Sequence, residues 1–233
     1  MSSLFLITSA INTKFGVFSS SLRLGQTIQT IESIRDFLPE AKLVLLEMSA
    51  IPLDNEQKQV LKSKTDFLWE FYGNNYVQKV FQDNRWSVVK NLTEIKCFQL
   101  ALLKLLQDST LDNIHRVYKI SGRYRLNQSF DPKLHVADKI CISERRASEL
   151  PLEIPDIPFA YMSRLWSWPA EFTPIIEHTF SKGFNYVSQQ IDKGLYCDIE
   201  HMLYKYLPEN LVTFIEPIGV EGRLGPNGEL VKD

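Results

Sequence analysis

Apolar and polar positions along this chain switch repeatedly between two periods. Leu4–Thr8 (LFLIT) is a short unbroken apolar run, the pattern of a buried strand. A serine-rich polar stretch follows. From Gln26 the apolar residues fall at Ile28, Ile31, Ile34 and Leu38, the spacing of a helix with one buried face, and Pro39 closes it. Lys42–Glu47 (KLVLLE) is a second apolar run. A β–α–β order this short implies a parallel pair joined by a crossover helix, the opening of a doubly wound sheet.

Further on, Asn55–Ser63 and Phe67–Phe81 read as helical or irregular connections. Asn91–Leu106 predicts a helix, with Ile95, Phe98, Leu102, Leu105 and Leu106 on one face. Arg116–Ile120 (RVYKI) predicts an interior strand followed by the compact polar segment Ser121-Gly122-Arg123-Tyr124. Lys139–Ser143 and Phe159–Ser163 read as strands, Glu171–Gln190 as a helix that Gly183 threatens to interrupt, Asp198–Leu207 as a short helix, and Leu211–Glu216 as a late strand. The Pro-rich Leu150–Pro158 reads as a loop over the sheet, not a linker. The expected fold is one α/β domain, with a mainly parallel central sheet and helices on both faces.

Composition narrows the function. The chain has 233 residues, 44% of them hydrophobic, enough for one large core. A net charge of −2 excludes the basic footprint of a nucleic-acid binder. Aromatics such as Tyr161, Trp166, Trp168, Phe172, Phe184 and Tyr186 are expected mostly in the core. Cys97, Cys141 and Cys197 lie far apart with no CxxC pair, and the four histidines show no metal-binding spacing. Met1–Thr8 reads as a strand, not a signal peptide, and no apolar stretch is long enough to span a bilayer. The expectation is a cytoplasmic protein.

In an open parallel sheet, ligands bind outside the carboxyl ends of the strands. Three strand ends therefore carry the candidate chemistry. At Thr8-Ser9-Ala10, small side chains and free amides suit a base or ribose, or simply a turn. Glu47, closing KLVLLE, could accept from the same groups or be a solvated strand end. After Arg116–Ile120 the edge receives Lys119, Ser121, Gly122, Arg123, Tyr124 and Arg125. Glycine permits close approach, and arginine offers a planar fork of donors suited to a diphosphate. Arg23, expected in the loop after the first strand, could hold a base or phosphate or stand in solvent. Lys90 and Glu94 are spaced as an ordinary helical charge pair. Asp198 reads first as a helix N-cap. The glycines at 219, 222, 225 and 228, with Pro-Asn-Gly at 226–228, suggest a hairpin or closing flap.

The segment VYKISGRYRL, Val117–Leu126, resembles the K-I-(S/T)-G-R-Y signature of glycosyltransferase-like proteins from bacterial surface-polysaccharide systems and phages. QTIQTIESI at Gln26–Ile34, Leu46-Glu47-Met48-Ser49, and KNLTEI at Lys90–Ile95 are similar to further elements of that group. The resemblance covers most of the chain. It implies a GT-A (Rossmann-like) fold whose nucleotide-binding part spans about 1–125 and acceptor-side part about 126–233. It implies transfer of a hexose from a nucleotide-sugar, most often a UDP-sugar, to a saccharide acceptor. Thr8, Arg23, Glu47, Lys90, Lys119, Ser121, Gly122 and Arg123 would bind the donor. Asp198-Ile199-Glu200 is similar in position to the family's acid at a late helix, which makes Glu200, or Asp198, the proton acceptor.

One departure matters. GT-A enzymes commonly carry an Asp-x-Asp motif that chelates Mn²⁺ or Mg²⁺, and this sequence has none. Ser121-Gly122-Arg123 stands in its place, and a guanidinium does not bind a hard cation. Either Arg123 and Lys119 neutralise the diphosphate, or acids from elsewhere hold a metal; the metal ligands stay unassigned. The same absence leaves open a second reading, a catalytically weak nucleotide-sugar-binding protein that has kept the fold.

Overall fold

A computed structural model describes residues 2–148, 157–225 and 227–233. Most of the segment expected as a loop, 150–158, lies outside the described residues. In chain order the first elements are β1 (Ser3–Ser9), α1 (Ser20–Phe37), β2 (Lys42–Glu47), α2 (Asn55–Lys64), β3 (Phe67–Glu70), α3 (Asn75–Phe81) and α4 (Trp86–Gln107). There follow β4 (Arg116–Ser121), β5 (Tyr124–Leu126), β6 (Ile140–Ile142), β7 (Arg146–Ala147), β8 (Phe159–Ala160) and β9 (Leu165–Pro169). The rest are α5 (Thr173–Asp192), α6 (Ile199–Tyr206), β10 (Val212–Phe214), β11 (Val220–Arg223) and β12 (Leu230–Lys232).

Seven strands form the central sheet in the order β10-β6-β9-β4-β1-β2-β3. β4, β1, β2 and β3 are mutually parallel, β10 is parallel to β6, and β9 runs antiparallel between β4 and β6. The architecture is thus α/β with a mainly parallel sheet, consistent with a Rossmann-like fold. Strand alternation builds two apolar layers. Leu4, Leu6, Val44, Leu46 and Val117 pack with α3, α4, α5 and α6 on one face. Phe5, Ile7, Leu43, Leu45, Tyr118 and Ile120 pack with α1, α2 and β5 on the other. Because all seven residues of β1 are buried, it reads in the sequence as a continuous apolar run.

Local chemistry explains most boundaries. Ser19 caps α1 by accepting from Leu22 N, so that helix begins well before the apolar period does. Asp54 and Gln57 form a capping box that starts α2. The connection 67–81 resolves into an edge strand and a short helix. On α4, Leu106 is exposed, while Leu92, Ile95, Phe98, Leu102 and Leu105 face the core. At Phe159–Ser163 the structure keeps only the short β8, paired with β7, and the central sheet uses Leu165–Pro169 instead. Trp166 and Trp168 are fully buried there. Ser167 between them breaks the apolar pattern, but its hydroxyl is held by Arg116 Nη1 and His135 Nδ1, each at 2.7 Å.

Helix α5 passes through Gly183 without interruption. A Cβ at that position would lie 2.3 Å from Cγ and Sδ of Met202 on α6, so the glycine serves close helix–helix contact. Gly183→Val is therefore expected to destabilise the protein by about 1–3 kcal/mol, as overpacking does, read as a lowered melting temperature.

Candidate functional site

Strand order reverses at β1. The connections from β1 to β2 and from β2 to β3 run through α1 and α2 on one face, and the connection from β3 to β4 runs through α3 and α4 on the other. The carboxyl ends of β1 and β4 lie side by side at this reversal, the place where such sheets bind ligands in a crevice. The chain leaves β1 toward α1 and β4 toward β5, which is tied to α1 by Thr30 Oγ1 donating to Tyr124 O at 2.7 Å. The turn after β4 is tied across the crevice floor. Gly122 N donates to Thr8 O at 2.8 Å, and Thr27 Oγ1 donates to Gly122 O at 3.3 Å. A Cβ on Gly122 would lie 3.1 Å from both Thr8 O and Thr27 Oγ1. The close approach that glycine permits is thus to the protein's own backbone.

Two charged groups flank the crevice. On the α4 face, Lys119 is 0% exposed. Its Nζ donates to Ser163 O at 2.7 Å and Ser121 Oγ at 3.1 Å, and stands 3.6 Å from Glu94 Oε1. Burial lowers its pKa, partly offset by Glu94 and Glu200. With three acceptors around three N–H bonds, this ammonium braces the wall of the crevice from inside. Ser163 continues the network by donating its hydroxyl to Glu200 Oε1 at 2.5 Å.

Lys90 is exposed to solvent but within electrostatic reach of Glu200, Glu94 and Asp198. Burial among protein atoms pulls its pKa down, but Glu200 first and then Glu94 outweigh this and raise it overall. Glu200 is half-buried; burial and the neighbouring Asp198 raise its pKa, while Lys90 opposes them. Asp198 differs. It is the N-cap of α6, and its Oδ1 accepts from His201 N at 3.1 Å and sits 2.6 Å from His201 Nδ1. Burial alone would raise its pKa, but the contacts with His201 hold it below the ordinary value. Helix capping therefore occupies Asp198, whereas Glu200 faces the two lysines.

On the α1 face, Arg23 lies in the first turn of α1, not in the preceding loop, and is 7% exposed. Its guanidinium donates to Phe18 O, Ala10 O and Phe15 O at 3.1–3.2 Å, pinning the loop after β1. Burial and then the nearby Arg123 lower its pKa. Arg123 itself takes part in none of the ion pairs among the described residues, and its Nε is buried without a partner. Gly225, near the tip of the β11–β12 hairpin, lies against this guanidinium: a Cβ there would be 3.3 Å from Arg123 Cζ. The expected hairpin thus lies over the crevice, and its base is anchored by Asp233, which pairs with Arg146 at 2.6 Å and with Arg164.

Glu47 is 2% exposed, with Oε1 accepting from Ile11 N at 3.0 Å and Oε2 unpartnered. Burial raises its pKa from 4.5 to about 7. A carboxyl with a folded pKa above its unfolded value binds more protons when folded, so stability is lost as pH rises from about 4.5 to about 7. The full loss is on the order of 3 kcal/mol. Glu47→Gln should remove this part of the slope, checked by urea denaturation at pH 5 and pH 8.

The acids at the strand ends do not fit a divalent cation. Glu94 pairs with Lys119, Glu200 accepts from Ser163, Asp198 holds His201, and Glu47 is buried with a pKa raised to about 7, so protonation competes with any cation there. Among the described residues, no three His, Cys, Asp or Glu side chains are gathered to hold a metal. The three cysteines are free and buried, and no described helix is long and apolar enough to cross a membrane.

The structure therefore brings Thr8, Gly122 and Arg123 to the crevice floor. Lys90, Lys119, Ser121 and Glu200 stand on one side of it, and Arg23 and Glu47 on the other. Sequence reasoning missed Ser163 and also Tyr196, which interacts electrostatically with Asp198 and Lys90. Ser163 carried no signal, being one serine in a segment read as a strand. Tyr196 sits two residues before the helix-capping Asp198, where its ring could have been noticed. Comparison with known proteins adds no relative: no protein-family model matches the chain, and no curated protein matches it.

Proposed function

We propose that this protein is a GT-A-type glycosyltransferase that passes a hexose from a nucleotide-sugar, a UDP-sugar, to a saccharide acceptor. One observation carries the reading: an arginine with a buried, unpartnered Nε follows the carboxyl end of β4, the strand whose Lys119 leads through Ser163 to the half-buried Glu200. The resemblance of Val117–Leu126 supplies the substrate class. A diphosphate placed at the ends of β1 and β4 would meet the Arg123 fork, with Arg23 behind it. Lys119 is a positioning residue in this reading, holding Glu94, Ser121 and Ser163 without reaching the donor.

In the transfer, an acceptor hydroxyl oxygen attacks the anomeric carbon and its proton passes to Glu200. The bond from that carbon to the diphosphate oxygen breaks, and the electron pair leaves with the nucleoside diphosphate. Arg123 stabilises the growing negative charge without rearranging. A base with a raised pKa holds the proton better at neutral pH than an ordinary carboxylate. No step is assigned to a metal, because the side chains present do not form a site for one. A nucleotide-sugar substrate and three free thiols agree with a cytoplasmic location.

The experiment is UDP release from a panel of UDP-sugars, with and without Mn²⁺. Release of UDP with at least one donor is expected. Binding of a donor without release would favour the non-catalytic binding protein instead.

A further inference from the structure

A second recess lies one step along α4 from the charged cluster. Its volume is about 120 Å³, and its walls include Ser87, Asn91, Ile191, Leu195 and Tyr196, with Arg85 at the rim. By the measure in which one water needs roughly 10–15 Å³, this is room for several waters or a six-membered ring. We infer that this recess binds a neutral pyranose of the acceptor saccharide; the inference rests on the proposed transferase reading.

Three observations point to that occupant. First, Asn91 is 1% exposed and lines the recess, and its Nδ2 donates to Cys197 O at 3.1 Å while its Oδ1 has no partner. A buried amide oxygen left unpaired calls for a donor, and a sugar hydroxyl is one. Second, the recess opens at the N-terminus of α4, which has no side-chain cap. Of its first amides, Val88 N bonds Arg85 O at 3.1 Å, which leaves those of Trp86 and Ser87 without an intrahelical acceptor. Third, the only guanidinium on the lining is already taken: Arg85 Nε and Nη2 donate to Asp83 at 3.1 and 2.7 Å. What remains are neutral hydrogen-bonding groups between the apolar walls of Val88, Ile191 and Leu195. That mixture suits a ring with hydroxyls at its edge and C–H bonds on its faces better than it suits an anion. Trp86, between Arg85 and Ser87 in the chain, exposes 44% of its surface and offers a stacking face beside the rim.

Position links the recess to the chemistry. Ser87, Lys90, Asn91 and Glu94 form a polar stripe at i, i+3, i+4 and i+7 of α4, so one turn, about 5.4 Å, leads from the recess to the cluster. Tyr196 joins the two: it lines the recess, and its electrostatic interactions reach Asp198 and Lys90. A ring held by Asn91 and Tyr196 therefore sits beside the carboxylate of Glu200.

The test is saturation-transfer NMR with methyl β-glucoside, methyl β-galactoside and methyl N-acetyl-β-glucosaminide, run on the full chain with and without UDP. At least one glycoside should give signal with the wild type. That signal should fall at least fivefold in Asn91→Leu and in Ser87→Trp, the latter filling the mouth from an accessible helical turn. If Asn91→Leu fails to fold, Ser87→Trp decides. No glycoside signal from wild type that binds UDP, or an unchanged signal in folded Ser87→Trp, overturns the inference. Glycoside binding that both variants abolish, in a protein that does not bind UDP, would instead sink the donor reading and leave the recess a saccharide site.

Discussion

Arg123→Ala is expected to slow sugar transfer by about 10²–10³-fold, the usual cost of removing one preorganised donor from a developing anion. The leaving group is a nucleoside diphosphate, whose charge grows as the glycosidic bond breaks. A fixed guanidinium stabilises that state more than the ground state, so the loss should fall on turnover as well as on donor affinity. No ion pair among the described residues includes Arg123, its Nε is buried without a partner, and its neighbour Arg23 repels it. Holding two guanidiniums together costs energy unless an anion joins them. Arg123→Lys keeps the charge but loses the planar fork, so its activity should fall between wild type and alanine. Assays of transfer with and without EDTA complete the test. If EDTA abolishes wild-type activity and Arg123→Ala is fully active with Mn²⁺, Arg123 is not the diphosphate ligand.

Glu200→Gln is the second large effect. Turnover should drop by about 10²-fold or more with UDP affinity nearly unchanged, because the residue acts on the acceptor hydroxyl. The pH profile gives an independent reading. A base works only when deprotonated, and burial together with Asp198 raises the Glu200 pKa. Activity should therefore fall on the acid side at a pH above the ordinary carboxylate range, and Glu200→Gln should lose that limb. Asp198→Asn should behave differently, lowering stability through the cap and the His201 contact. Unchanged turnover in Glu200→Gln would remove the base from α6.

The sheet was legible because its central strands are buried on both faces. LFLIT and KLVLLE cannot be read as anything solvated, and the apolar period of α4 is long. What stayed hidden depended on contacts distant in the chain. Leu165–Pro169 went unread in favour of Phe159–Ser163: Ser167 sits in its middle, and only Arg116 and His135, far away in sequence, explain a buried hydroxyl there. Gly183 looked like a helix breaker until Met202 was seen against it. At the site, residue types alone placed Lys119 and Arg123 together as cations for one anion. Strand alternation separates them: Lys119 points inward to Glu94, and only Arg123 beyond the strand end lacks a partner. Glu47 read as a carboxylate open to a base or ribose, or as a solvated strand end; instead it is buried, accepts from Ile11 N, and has its pKa raised to about 7.

The most direct test of the account is a calorimetric titration of UDP into the wild-type protein and Arg123→Ala, each with and without Mn²⁺. The account predicts saturable heat with the wild type that persists without Mn²⁺, and at least tenfold weaker binding by Arg123→Ala, the factor that about 1.4 kcal/mol corresponds to. No heat and no thermal stabilisation of the wild type by UDP in either condition, or equal affinity in Arg123→Ala, would contradict it.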